Sequence, residues 1–120
     1  MKKILIVDDE PNIVMTLEYT FKKSNYEVFI ARDGQEALDI LKTNYPDVII
    51  LDIMMPMVDG FATLEQIRKD DNLQHTKVMF LSAKNKESDI EKGLALGADA
   101  YMTKPFSIKK VVEKVEELMG

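Results

Sequence analysis

Three apolar runs in this chain end in a group that could do chemistry. Ile4-Leu5-Ile6-Val7 leads into Asp8-Asp9, Val48-Ile49-Ile50-Leu51 into Asp52, and Val78-Met79-Phe80-Leu81 into Ser82. A weaker run, Ala100-Tyr101-Met102-Thr103, ends at Lys104-Pro105. If all four are parallel strands of one sheet, their carboxyl ends share the edge where open α/β sheets bind ligands. That edge then holds three carboxylates, a hydroxyl and an ammonium. Acids crowded into a partly dry site repel one another. Lys104 offsets one charge, and a hard divalent cation with oxygen ligands would offset the rest. Magnesium suits such a site, taking one or two carboxylates, several waters and a phosphate oxygen. A carboxylate can attack phosphorus and form an acyl phosphate. That transfer depends mostly on positioning and charge neutralisation.

The elements that would position these groups follow from periodicity. Short, uniformly apolar runs bounded by turn signals are strands buried on both faces. Pro11 suits a first helical turn, and Ile13, Val14, Leu17 and Phe21 recur at helical spacing to about Lys23, before Ser24-Asn25. Glu27 to Ala31 is a short strand, and Asp33-Gly34 a turn. Ala37, Leu38 and Leu41 mark the buried side of a second helix, closed by Asn44 and Pro46. Phe61, Leu64 and Ile67 mark a third, ending near Asp70-Asp71-Asn72. Ile90, Gly93 and Leu94 mark a fourth, with Gly97 at its C-cap. Val111, Val112, Val115 and Leu118 stripe a fifth. Five strand-then-helix repeats predict a parallel sheet covered by helices on both faces. Right-handed crossovers leave only a few doubly wound orders.

The chain's 120 residues suit one domain, read as 1–120. A hydrophobic share of 46% against 31% charged residues is globular, not disordered. Net charge is 16 − 21 = −5, which gives no electrostatic footprint for nucleic acid. The absence of cysteine excludes disulfides and thiolate metal sites and fits a reducing compartment. Apolar runs fall far short of a membrane span or a signal-peptide core. The expectation is a cytoplasmic protein, mature as it stands.

The segments ILIVDDE (Ile4–Glu10), LDIMMPMVDG (Leu51–Gly60), Ser82-Ala83 and GADAYMTKPF (Gly97–Phe106) together resemble the response-regulator receiver domain of two-component systems, in order and at its spacing. The resemblance covers the chain end to end. It implies a flavodoxin-like (βα)5 domain with strand order 2-1-3-4-5. It implies that Asp52 accepts a phosphoryl group from the phosphohistidine of a sensor histidine kinase or histidine phosphotransfer domain. In the same way it implies Mg2+ held by Asp9 directly, by Asp8 often through water, by Asp52 and by the Met54 carbonyl. Lys104 would contact a phosphoryl oxygen, Ser82 would be the switch hydroxyl and Tyr101 the switch aromatic, and Lys104-Pro105 would be a cis peptide. The signal would pass to a downstream target protein through the fourth helix, fifth strand and fifth helix. The segment from Tyr101 to Ser107 resembles receivers joined to winged-helix DNA-binding domains, which implies a possible phosphorylation-dependent homodimer through charged pairs on that face. Here Ala100, Lys110 and Lys114 depart from the usual residues, and Arg and Lys are not equivalent in such pairs.

Each residue alone has a plainer reading. Asp8-Asp9 could be a solvated helix start, Asp52 a turn residue, Ser82 a cap hydroxyl and Lys104 a surface cation. His75 has no partner at ligand spacing. Two other functions compete. A magnesium-dependent phosphohydrolase with an aspartyl nucleophile usually has a second Asp two residues on, where this chain has Met54. An FMN carrier of flavodoxin type needs Ser, Thr and Gly after its first strand, where this chain has Asp8-Asp9-Glu10. The expectation is a phosphoacceptor switch, not a turnover enzyme. Met54 and Lys84, each two places past a motif residue, offer no acid or amide to orient an attacking water, which predicts slow self-dephosphorylation.

Overall fold

The computed structural model describes all residues, 1–120. In chain order the elements are β1 (Lys3–Val7), α1 (Pro11–Lys23), β2 (Glu27–Ala31), α2 (Gly34–Ile40), β3 (Val48–Leu51), α3 (Gly60–Lys69), a 3-10 turn (Asp71–Leu73), β4 (Lys77–Ser82), α4 (Glu87–Ala95), β5 (Ala100–Thr103) and α5 (Ile108–Met119). The five strands are all parallel and lie in the order β2-β1-β3-β4-β5, as expected.

Alternation along the strands divides the core in two. Leu5, Val7, Ile49, Leu51, Val78 and Phe80 face one side and pack with Ala37, Leu41, Phe61, Leu64 and Ile67 of the α2 and α3 region. Ile4, Ile6, Val48, Ile50, Met79 and Leu81 face the other and pack with Leu17 and Phe21 of α1 and Val111 and Val115 of α5. β1 and β3 are therefore apolar on both faces, the pattern of central parallel strands.

Local chemistry sets the helix ends. Pro11 opens α1, where its missing N–H costs nothing. Asn25 carries the left-handed turn after it, at φ 68°. Asp33 and Asp59 cap α2 and α3, accepting from the Glu36 and Ala62 N–H groups at 2.9 Å each. Gly97, at φ 108°, follows α4 as its spacing predicts. Two features depart from the periodicity. Leu94 is 46% exposed, and Gly93 is the buried residue of α4. The 3-10 turn after α3 falls where only a loop is expected.

Candidate functional site

The register carries the chemistry to one edge. Val7 pairs with Leu51, Leu51 with Phe80, and Ser82 with Thr103, so Asp8, Asp52, Ser82 and Lys104 all emerge at the carboxyl ends of neighbouring strands. Backbone bonds extend the ladders past the strands. Asp52 N–H donates to the Val7 carbonyl at 2.9 Å, and Lys104 N–H to the Ser82 carbonyl at 2.9 Å. The loop after Asp52 closes through the Gly60 N–H on the Ile53 carbonyl, at 3.0 Å. A Cβ at Gly60 would overlap the Asp52 carbonyl, so only glycine lets α3 begin so close to that peptide.

Lys104 is the hub. Its Nζ lies 2.9 Å from Asp8 Oδ2, 2.8 Å from Glu10 Oε1 and 3.5 Å from Asp52 Oδ2. Asp8 and Asp52 are each only 3% exposed. Asp8 Oδ1 also accepts from the Glu10 N–H, and Asp52 Oδ1 from the Ile53 N–H, at 2.9 and 2.8 Å. These bonds favour ionised carboxylates. Burial outweighs them and pushes both carboxyl groups above the ordinary aspartate range. Burial alone would lower Lys104, but Glu10, Asp8 and Asp52 hold it above the usual lysine value. The lysine therefore stays charged, and its acids remain short of positive charge.

Oxygens of Asp8, Glu10 and Asp52 lie within 4.8 Å of one another. An all-oxygen donor set in which two carboxylates are nearly sealed from water fits a hard divalent cation. Glu10 belongs to this group and had no role assigned from sequence. Asp9 is exposed and lies outside it, lining a cleft of about 430 Å³ together with Asp8, Glu18 and Arg32. The Met54 side chain is 57% exposed in the loop beyond Asp52. A cleft of about 510 Å³ opens beside Lys104, between Glu10, Ile13, Ala83, Pro105 and Phe106. The Lys104-Pro105 peptide is cis, as the resemblance implies.

Ser82 is fully buried, and its Oγ accepts from the Lys84 N–H at 3.3 Å. Tyr101 is half-buried against Phe80, and its hydroxyl donates to the Lys84 carbonyl at 2.6 Å. The expected switch aromatic is thus tied to the same loop residue as the expected switch hydroxyl. Nothing in the sequence pointed to the Lys84 backbone, because main-chain partners leave no residue-type signature.

The response regulator receiver domain model matches residues 4–116. The alkaline phosphatase synthesis transcriptional regulatory protein PhoP of Bacillus subtilis (strain 168) is 45% identical over 118 residues, 98% of this chain and 48% of that protein. The chain thus spans about half the length of this curated relative. The structure of the Francisella response regulator 1452 receiver domain superposes with a TM-score of 0.91 at 37% identity, covering 99% of this chain and 97% of that one. The receiver domain of the sensor histidine kinase PA1611 of Pseudomonas aeruginosa, described with magnesium coordinated in its active-site cleft, gives a TM-score of 0.90 at 26% identity, covering 99% and 98%. Sequence match, strand order and the buried acidic edge agree, and the chain belongs to the response regulator receiver domain family.

Proposed function

We propose that this receiver, a phosphorylation-activated switch by family, takes its phosphoryl group on Asp52. Lys104 bridging the buried carboxylates of Asp8 and Asp52 is the observation that carries this reading. The donor is a phosphohistidine of a sensor kinase or a histidine phosphotransfer domain. An Asp52 carboxylate oxygen forms the new bond to phosphorus as the phosphorus–nitrogen bond breaks and the imidazole leaves. Magnesium, when bound, would supply positive charge to offset that of the reacting oxygens. Asp8, Asp52 and the Met54 carbonyl would hold it, with Asp9, exposed and outside that group in this structure, turning inward to join them. Glu10 holds Lys104 back from the phosphoryl position until the new oxygens compete for it.

The added phosphate brings charge and acceptor oxygens. Lys104 Nζ satisfies one oxygen and the Ser82 hydroxyl donates to another. Ser82 then releases the Lys84 N–H, and the loop that holds Tyr101 changes with it. The population of the face formed by α4, β5 and α5 shifts, and with it the preference for a downstream protein. The site serves as a switch and does not turn over substrate, since Met54 stands two residues after Asp52, where an aspartyl phosphohydrolase carries its general acid. No helix is long and apolar enough to cross a membrane. A cytoplasmic location is part of this proposal.

Acetyl phosphate with magnesium, followed by intact mass, tests the assignment. One phosphate adduct is expected on the wild type and none on Asp52→Asn. A wild type that stays unmodified while a control receiver labels would refute it.

A further inference from the structure

Helix α4 meets the sheet at an unusual seat. Its one buried residue is Gly93. A Cβ there would stand 3.0 Å from Phe80 Cδ2 and Cε2 and 3.1 Å from Tyr101 Cδ2. The two rings are 5.7 Å apart, and Phe80 also stands edge-on to Phe61 at 5.6 Å. Lys92 lies over the Phe61 ring at 4.4 Å, next to Gly93 in the chain. The start of α4 has no side-chain cap. The preceding loop is tied by the Tyr101 hydroxyl to the Lys84 carbonyl. Gly93 thus seats the helix on these rings, Leu96 at its C-terminal end packs on the same core, and Leu94 beside the seat faces solvent.

We propose that Gly93 is a positioning residue for the switch: its bare backbone lets α4 rest on the Phe80 and Tyr101 rings, and this seat sets how far Tyr101 stays bonded to the Lys84 carbonyl. The proposal deepens the switch reading above and rests on it. The two rings crowd the place of a side chain, so with a Cβ there Phe80, Tyr101 or α4 must give by a few tenths of an ångström. Interiors pack too tightly to absorb the overlap without movement. The phosphate-driven change at Ser82 and the position of α4 thus meet at one ring.

Two effects of Gly93→Ala oppose each other. Alanine is the better helix former, which would tighten α4 in isolation. The overlap with two rings would loosen it on the sheet. The proposal requires the second to win. Fluorotyrosine-labelled protein, observed by fluorine NMR, reads the ring directly, with the Tyr101 line identified by its loss in Tyr101→Phe. In ligand-free Gly93→Ala that line is expected to move from its wild-type position. Hydrogen exchange across residues 87–96 is expected to quicken by about tenfold, because local opening reports the loss of docking. Adding Phe80→Leu, which removes the ring carbons nearest the new methyl, is expected to bring both readouts back toward wild type. A Tyr101 line unchanged in Gly93→Ala, with exchange equal or slower, overturns the proposal. These ligand-free readouts do not depend on phosphorylation. Failure of the switch reading would show separately, as an absent adduct on wild-type Asp52.

Discussion

Asp52→Asn is expected to stabilise the metal-free protein, although it removes a partner of Lys104. At an effective dielectric constant of about 20, the 3.5 Å contact with Lys104 supplies about 5 kcal/mol of attraction. Asp8, with an oxygen within 4.8 Å, supplies at least about 3.5 kcal/mol of repulsion. Glu10 is under the same distance limit, but its side chain is 57% exposed, and screening leaves about 1 kcal/mol. These terms nearly cancel. What remains is the desolvation of a carboxylate only 3% exposed, several kcal/mol for an ion in a protein interior. Asparagine keeps an acceptor for the Ile53 N–H. The net gain is expected at about 1–3 kcal/mol, or roughly 3–10 °C in Tm for a domain of this size. Thermal unfolding at neutral pH with a chelator present measures it. Acid supplies an internal control. Burial raises the folded pKa of Asp52 above the ordinary aspartate range. The fold therefore favours the protonated group, and that stability is lost as pH rises through the folded pKa. The asparagine variant's advantage should be small near pH 4 (about the unfolded carboxylate value) and grow toward neutrality. Equal or lower stability of Asp52→Asn at neutral pH would refute the balance drawn here.

Lys104→Met removes the cation from three carboxylates. It is expected to cost about 3 kcal/mol in urea unfolding, partly recovered when magnesium is added, and recovery by magnesium equal to none would count against the ligand set. Arg68 donates to the Gly97 carbonyl, the Thr76 carbonyl and Asp99 Oδ2 at 3.0, 2.9 and 3.0 Å, on the edge opposite Asp52. Arg68→Ala is expected to lower stability by about 2–4 kcal/mol while acetyl phosphate still labels Asp52, as seen by mass. Met54→Asn and Lys84→Glu are expected to change the rate at which the Asp52 phosphate is lost, followed by the decay of the mass adduct. Unchanged rates in both would discard the idea that these positions time the signal.

The strands and their edge were legible because burial on both faces leaves a crude trace: Val48 to Leu51 reads apolar at every position and Asp52 breaks it. Gly97 was legible because a positive φ after a helix favours glycine. The carboxylate group was only partly legible. Asp8 and Asp52 follow from strand register, whereas Glu10 joins through a side-chain direction that spacing does not give. Asp9, its neighbour in sequence, turns outward. α4 was misleading at one point. Its period nominated Leu94 for the interior together with Gly93, but Leu94 is 46% exposed and Gly93 alone makes the close approach to the Phe80 and Tyr101 rings. Helical period places a stripe; it does not say how much room the facing sheet leaves.

The same limit bears on self-association through α4, β5 and α5. On that face Asp99, Lys109 and Glu113 are charged groups that could pair across copies of the chain. The structure shows that Asp99 Oδ2 already accepts from Arg68 and from the Val78 N–H, at 3.0 and 2.8 Å. Lys114 lies 3.4 Å from Glu117 of its own helix. An intermolecular bond to Asp99 must compete with two bonds in place, one of them to an arginine. Surface ion pairs contribute at most about 1 kcal/mol each, too little to displace such contacts and hold two copies together. The expectation is that beryllofluoride with magnesium leaves the domain at its monomer mass of 13.7 kDa in sedimentation across the micromolar range. A dimer appearing there would mean that apolar contacts of the face, Leu94 among them, outweigh its missing charge pairs. Leu94→Lys would then abolish the dimer, and Arg68→Ala would leave it intact.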